Sequence, residues 1–600
     1  MTRTPAYLAP ILTGRKRVKY MVANLAWLAG VIYFWSWWLQ PEHTGEGARF
    51  VLLSLCLGWI SFLQLYFLFV FWHGQRSVAR DPMPGQWRVA MVVTKTPGEP
   101  LALLQKTLAA MLAQDYPHDT WLADEDPGAD TVAWCAANGV RISSRKGVAD
   151  YHRAEWPRRT RCKEGNLAYF YDHFAYDAYD IVVQLDADHV PQPGYLTEML
   201  RPFADPKVGY VSAPSICGAN ARDSWAARAR LDTEAAFHGL LQCGYTRLFT
   251  PICIGSHYAV RTRALRAIGG LGPELAEDHS TTMLMAAGGW RGVHAIDAIA
   301  IGDGPASVAD LAVQEFQWAR SLVSLLLMHT PRYLRALPPR LRFIFVFCQM
   351  IYPAYATTMA FLYLAPIYAL TTDQRFADVT YPAFVGHSLP TLLVLCWIFL
   401  QIRRDGLQRP YDSRIISKEK VLFAFLQWPW ALWGCVMAVR DRLSGQFVDF
   451  RVTPKGDAAS RRLPSKVVAV YAVLAIGAVL PVILCTNVDV AKGFYVLSSI
   501  NALIYAAIVA TIVFRHLGDT IADLRRRWHA VLFQLGSVAG LSLLILTAVI
   551  ARGTESLYAL SIGLSPFRIA TVHFTVSGAG MGGTGHVIYQ FDPGWDRQKF

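Results

Sequence analysis

Charge is scarce in this chain. Asp, Glu, Lys and Arg make up only 17% of its 600 residues, against 53% hydrophobic ones, and the mean hydropathy is +0.26. That balance, with 19 Trp, 30 Phe and 26 Tyr, excludes an ordinary soluble protein of this size. The ten cysteines include no CxxC pair, and Cys56, Cys348, Cys396, Cys435 and Cys485 sit inside apolar runs. Neither a disulfide framework nor a zinc site is indicated. No internal repeat, low-complexity tract or cleavable-signal pattern stands out; the first apolar run, Tyr20–Gln40, is long enough to span and stay.

What is present is a series of apolar runs of about twenty residues, the length that crosses a bilayer. Seven are expected to cross: Tyr20–Gln40, Phe50–Trp72, Leu341–Thr371, Phe384–Ile402, Val467–Cys485, Phe494–Phe514 and Ala530–Ile550. Basic residues cluster in alternate loops, such as Arg15 to Lys19, Arg403 to Lys420 and Arg525 to Arg527. This sidedness predicts a cytosolic amino end and accounts for the net charge of +13 without a nucleic-acid partner. An eighth run, Val421–Val439, has Arg and Lys on both sides, with Pro429 and three Trp within it. It reads as a broken interfacial helix. The expected layout is a two-span region over 1–80, a cytosolic domain over 81–340, a membrane region over 341–551 and a glycine-rich external tail over 552–600. The tail is a candidate docking place for an external accessory subunit.

The polar section alternates strands and helices. Arg88–Thr94, Thr120–Ala123, Asp180–Asp186 and Val208–Ala213 read as strands; Glu99–Ala113, Gly165–Asp172 and Gly194–Phe203 read as helices. Such alternation predicts a largely parallel sheet covered on both faces. Ligands bind at the carboxyl edge of such sheets. Two acidic clusters, Asp124-Glu125-Asp126 and Asp186-Ala187-Asp188, fall there. Two carboxylates one residue apart at a buried strand end call for a cation between them, although a strand followed by an Asp-rich turn has the same sequence. Further along come Cys162-Lys163-Glu164-Gly165-Asn166, where Gly165 would let backbone amides approach an anion, and Ala276-Glu277-Asp278 before a helix. Then follow Gln314-Glu315-Phe316-Gln317-Trp318 and Phe450-Arg451-Val452-Thr453-Pro454-Lys455-Gly456. Taken singly, Lys163 also fits a solvated helix-start lysine, Asp278 a helix cap and Trp318 an interfacial anchor.

In this order, between spans, the set resembles the processive, inverting, membrane-embedded glycosyltransferases of family 2. These are the cellulose synthase catalytic subunit and its relatives making curdlan, mixed-linkage glucan, chitin or hyaluronan. Residues 450–456 are similar to FxVTxKG, the gating-loop signature of the cellulose synthase branch. The resemblance implies a GT-A-like α/β cytosolic glycosyltransferase domain inserted in a helical multi-span region of the inner membrane. It implies a UDP-sugar donor, a growing polysaccharide acceptor, surrounding lipids, and Mg2+ or Mn2+. Asp124 with Glu125 or Asp126 would hold the uridine end, and Lys163 the diphosphate. Asp188 with Asp186 would hold the metal, Asp278 would be the general base, and Trp318 would stack under the acceptor. Thr453 and Lys455 would close over the nucleotide.

Two departures stand out. The family's QxxRW places Arg before the Trp, where this chain has Gln317, the nearest arginine being Arg320. Gln314, Gln317 and Arg320 therefore count as substrate-side candidates with one cation missing or displaced. Ala276 stands where Thr is usual. The expected function is processive synthesis and export of a β-glucan from UDP-glucose. The alternatives are an N-acetylglucosamine- or hyaluronan-type synthase, a non-processive lipid-linked sugar transferase, and a transporter without catalysis. No PilZ-type RxxxR plus DxSxxG pair follows Gly456, so a cytosolic cyclic-dinucleotide domain is not expected.

Overall fold

The structure is a computed structural model that describes residues 7–45, 47–96, 99–160, 162–445, 465–520, 528–562, 567–572 and 586–591. The 450–456 stretch, with Thr453 and Lys455, lies outside the described residues. The chain divides into two compact units. One comprises 1–21, 62–360 and 398–467; the other comprises 22–61, 361–397 and 468–600.

The first unit is built on a seven-stranded sheet. We number its strands β1 (Val89–Lys95), β2 (Asp119–Asp124), β3 (Arg141–Ser143), β4 (Ile181–Asp186), β5 (Val208–Ser212), β6 (His257–Arg261) and β7 (Arg291–His294). Their order across the sheet is β7-β5-β6-β4-β1-β2-β3. Only β6 runs against its neighbours. The largely parallel expectation is met, and the reason is visible along β1. Val89, Met91 and Val93 enter one core with Leu104, Leu108 and Met111 of α1 (Leu101–Leu112). Ala90 and Val92 enter the opposite core with Leu167 and Phe170 of α2 (Lys163–Phe170). Both faces are therefore dry, and a strand buried on both faces reads as a continuous apolar run. Each such fully buried Val, Leu or Phe stabilises the fold by roughly 1.5–3 kcal/mol.

Four further helices matter for the site, α3 (Trp225–Ala236), α4 (Glu277–Ala287), α5 (Val308–Ser324) and α6 (Lys418–Ser444). Ser224 caps α3, its hydroxyl accepting from the Ala227 amide, and Ser307 and Asp310 form a reciprocal capping box on α5. The run expected to be a broken interfacial helix is α6, which continues unbroken through Pro429. The continuity has a packing cause. Gly434 lies so close to α5 that a Cβ there would come within 2.4 Å of the Phe316 carbonyl oxygen. Ala319, Val323, Ala431, Cys435 and Ala438 close the seam. Tertiary packing along the whole length outweighs one missing backbone donor.

Eight helices among the described residues are long and apolar enough to cross a membrane: the seven expected runs and α6. The protein is a multi-pass membrane protein. In the second unit, Trp37 stacks on His387 (4.1 Å, 6°) beside Phe34, Trp38, Phe50 and Phe384. Asp373 accepts the amides of Asp489, Val490 and Ala491. The helix expected to stop near Ile550 continues to Ser561, past Arg552, whose guanidinium pairs with Glu555 one turn on. Within the expected tail, Phe567–Val572 pairs antiparallel with His586–Phe591.

Candidate active site

β1 separates the two acidic strand ends. In register, Lys95 lies opposite Asp124 and Thr94 opposite Asp186, so the carboxylates flank β1 at its carboxyl edge. Two strand spacings put them about 10 Å apart along the sheet.

The uridine-side candidates are not alike. Asp124 is fully buried, and its Oδ2 faces Lys95 Nζ at 3.1 Å. Its Oδ1 accepts the Asp126 amide at 3.0 Å. Asp126 itself is exposed and pairs with Lys146 at 2.6 Å. Glu125 pairs with Arg145, a fully buried guanidinium that also donates to the carbonyls of Tyr151 (2.7 Å) and Arg159 (2.8 Å). The Gly165 expectation requires correction. A Cβ at this position would stand 2.0 Å from the Arg159 carbonyl oxygen and 2.3 Å from Arg145 Nη1, so the glycine serves a close internal approach rather than an anion seat. Around it, Glu164 accepts the amides of Arg158 and Arg159, and Asn166 donates to the Ala123 carbonyl at 2.8 Å. Glu164 and Gly165 thus tie down the preceding loop, while Asn166 ties the helix to the end of β2.

Lys163 is the exception. Its Nζ donates to Asp186 Oδ1 at 2.7 Å and to the Gly255 carbonyl. The Gly255 amide in turn donates to Asp278 Oδ2 at 2.6 Å, while the His279 amide donates to Oδ1 at 2.7 Å. The lysine, the first carboxylate of the Asp186-Ala187-Asp188 pair and the base candidate therefore meet around one residue. Asp278 lies in the first turn of α4 and does accept a backbone amide there, so the capping reading and the base reading describe the same placement. Burial raises the pKa values of Glu277 and Asp278, with the Asp278 charge adding to the effect on Glu277; they lie at about 8 and about 6. Glu277 Oε1 is buried without a hydrogen-bond partner, which suits a protonated acid better than a carboxylate.

Asp186, Asp188 and His189 each offer one ligand atom, all within 4.8 Å of one another. The two carboxylate oxygens fit Mg2+ or Mn2+, and an added imidazole nitrogen favours the softer Mn2+ of the two. A small sheet formed by Val190–Pro191, Ala300–Ile301 and Ser215–Ile216 fixes this group. It brings the Asp303 amide to Asp188 Oδ2 (3.2 Å) and Gly302 against the His189 ring. Burial works against a charged His189, but the Asp188 carboxylate beside it outweighs that and raises its pKa; to serve as a ligand the ring has to give up that proton to the incoming cation.

The α5 candidates separate. Gln314 Oε1 accepts from Arg230 Nη1 of α3 at 3.0 Å, and the same guanidinium lies 4.3 Å over the Trp318 ring. Gln317 is buried. Arg320 points away, its Nε 2.7 Å from Asp441 of α6, so the structure does not bring it to the crevice. Ala276 is tied to α5 through its backbone, its amide donating to Ser321 Oγ at 2.9 Å. His257 and His279 are buried and internally bonded, to Tyr195 and the Pro214 carbonyl, and to Gln349.

Sequence reasoning missed Lys95, Arg145, His189, Gly255 and Arg230 at this site. His189 directly follows the Asp pair and Lys95 ends a strand, so both had a local signal. Arg230 had none, being one of two arginines in an alanine-rich helix.

Comparison with known proteins agrees with this geometry. The family model described as Glycosyl transferase family group 2 matches residues 181–401, which hold the Asp pair, Asp278 and the Gln314–Trp318 stretch. Cellulose synthase 2 of Novacetimonas hansenii is 25% identical over 370 residues, covering 57% of this chain and 21% of that protein. The cellulose synthase catalytic subunit (UDP-forming) of Xanthomonas axonopodis pv. citri (strain 306) is 24% identical over 337 residues, covering 53% of this chain and 44% of that protein. The chain thus spans less than half the length of these curated relatives. A mannosyltransferase from Pyrobaculum calidifontis, solved in complex with GDP-Man and Mn2+, superimposes with a TM-score of 0.40. It is 15% identical and covers 71% of this chain and 99% of that one.

The sheet and its acidic edge have the architecture of a GT-A-like domain, accompanied by membrane helices. Residues 181–401 are similar to the family 2 glycosyltransferases, and a wider stretch of the chain is similar to cellulose synthases at 24–25% identity.

Proposed function

We propose that the protein polymerises a β-glucan from UDP-glucose by inverting transfer and passes the product across the membrane with its own apolar helices. The observation that carries this reading is the Gly255 bridge. Its carbonyl holds Lys163 and its amide holds Asp278, so a cation for a leaving diphosphate and a base for an attacking hydroxyl flank one small space.

Asp278, with a pKa of about 6, is ionised at neutral pH and takes the proton of the acceptor hydroxyl. The acceptor oxygen bonds to the anomeric carbon from the face opposite UDP, and the bond to the β-phosphate oxygen breaks with its electron pair leaving on UDP. The Gly255 and His279 amides aim the carboxylate, and Lys163 neutralises charge growing on the diphosphate. A divalent ion held by Asp186, Asp188 and His189 would supply Lewis-acid neutralisation of the same charge. Asp124, paired with Lys95, and the exposed Asp126 take the nucleoside end. Trp318 offers its ring to the acceptor sugar, with Gln314 and the buried Gln317 beside it on α5. Thr453 and Lys455 complete the scheme as a closing segment over the nucleotide.

Inverted membrane vesicles given UDP-glucose and Mg2+ or Mn2+ test the reading. The expected product is a polymer that a β-glucanase degrades, and its linkage analysis defines the glucan. Free glucose alone, or a lipid-linked monosaccharide alone, would overturn it.

A further inference from the structure

The Gln317 departure leaves α5 without an arginine beside its tryptophan, and the structure supplies one from another helix. Arg230, buried in the middle of α3, places its guanidinium over the Trp318 ring and donates Nη1 to Gln314. Its Nε is shared between both oxygens of Glu234, 3.1 Å from each. Gln314 and Trp318 are four residues apart and lie one above the other on the same face of α5. One side chain therefore grips both. Arg320, the arginine nearest in sequence, is held by Asp441 and does not compete for the place.

We propose that Arg230 is the positioning residue of the Trp318 platform, fixing the plane of the indole by covering one of its faces so that the acceptor sugar is seated on the other. This rests on the reading of Trp318 as the acceptor platform. Chemistry favours an arginine for the task. A guanidinium is planar and weakly hydrated, stacks on an aromatic face, and can make in-plane hydrogen bonds at the same time; an ammonium cannot do all three. Glu234 holds the fork in one orientation and compensates its buried charge. With carboxylate, amide and indole already engaged, the guanidinium is not a spare cation for the donor diphosphate. Its loss is therefore read on the acceptor side.

The test uses the full chain with UDP-glucose as donor and cello- and laminari-oligosaccharides as acceptors. Arg230→Gln is expected to raise the acceptor KM by about tenfold while UDP affinity stays within about twofold. Arg230→Lys, which keeps the charge without the planar fork, should stay defective; a wild-type KM for it would overturn the proposal. So would a loss of UDP affinity in Arg230→Gln as large as the loss on the acceptor. Trp318→Ala separates the two layers. If it leaves the acceptor KM unchanged, the platform reading itself fails. If it raises that KM and Arg230→Gln does not, only the positioning role fails. Should Arg230→Gln not insert or fold, Glu234→Gln is the second variant, with a smaller KM increase expected in the same direction and an unchanged KM counting against the proposal.

Discussion

The sheet edge and the helical platform of the first unit are held in different ways. At the edge, side chains are placed by the backbone: Asp124 and Asp186 end paired strands, and Asp278 is aimed by two amides. At the platform, Trp318 is placed by side chains of other helices. Arg230 reaches it from α3, Asp441 and Gln427 of α6 engage Arg320 and Glu315, and Gly434 sets the spacing of α5 and α6. A strand end is fixed by its ladder, whereas a helix face is fixed only by what packs against it. The difference implies that the edge is fixed locally and resists substitution elsewhere, while the platform is tuned by residues far away in sequence.

The strongest way to sharpen that contrast is Asp278→Asn. It should lower UDP release coupled to polymer formation by about a thousandfold, within the range of general-base catalysis, with UDP affinity retained. Near-normal turnover in this variant would remove Asp278 as the base. Next in size, Asp188→Asn should weaken Mn2+ binding at least about tenfold, by loss of a charged donor, as followed by the electron paramagnetic resonance of added Mn2+. Unchanged Mn2+ binding would show that the acidic edge is only a turn.

On the platform side, Gly434→Val should cost about 1–3 kcal/mol through overpacking of the seam, seen as a lower Tm. It should impair polymer formation while UDP binding is spared. A parallel loss of UDP binding would break the distinction between the two regions.

The smallest effect is a pH signature of the edge. Glu277 has a folded pKa of about 8, above its ordinary 4.5, so the folded protein retains a proton that the unfolded chain has released. Its contribution to stability is fully present below pH 4.5 and is lost as the pH rises through 8. Glu277→Gln should therefore gain stability over the wild type by about 1–2 kcal/mol between neutral and alkaline pH, measured as Tm at pH 6 and pH 9. For Asp278 the consequence is catalytic: turnover should fall as the pH drops through about 6 and the base becomes protonated.

Sequence legibility follows the same division. Val89–Lys95, Asp119–Asp124, Ile181–Asp186 and Val208–Ser212 were readable because strands buried on both faces must be apolar throughout. Arg141–Ser143 is three residues long and Arg291–His294 four, too short to show a period, while His257–Arg261 begins and ends with a charged or polar residue and runs antiparallel. The acidic clusters were readable as motifs at those strand ends. The pairing of Lys95 with Asp124 was not, because it depends on strand register. Nor was the grip of Arg230 on Trp318, which joins residues 88 positions apart through helix packing. Pro429 misled for the same reason: local chemistry argues for a break, and the seam with α5 overrides it.

Gly255 gives the crevice a ruler. Because Lys163 and Asp278 are bonded to the carbonyl and the amide of the same residue, their separation is gauged by no more than about 4 Å of covalent frame rather than by two independent loops. A Cβ at this position would stand 3.2 Å from Asp278 Oδ2, crowding one end of that gauge. The distance between where a proton is taken and where a leaving group is neutralised is thus written into the main chain, and drift elsewhere in the sequence has little purchase on it.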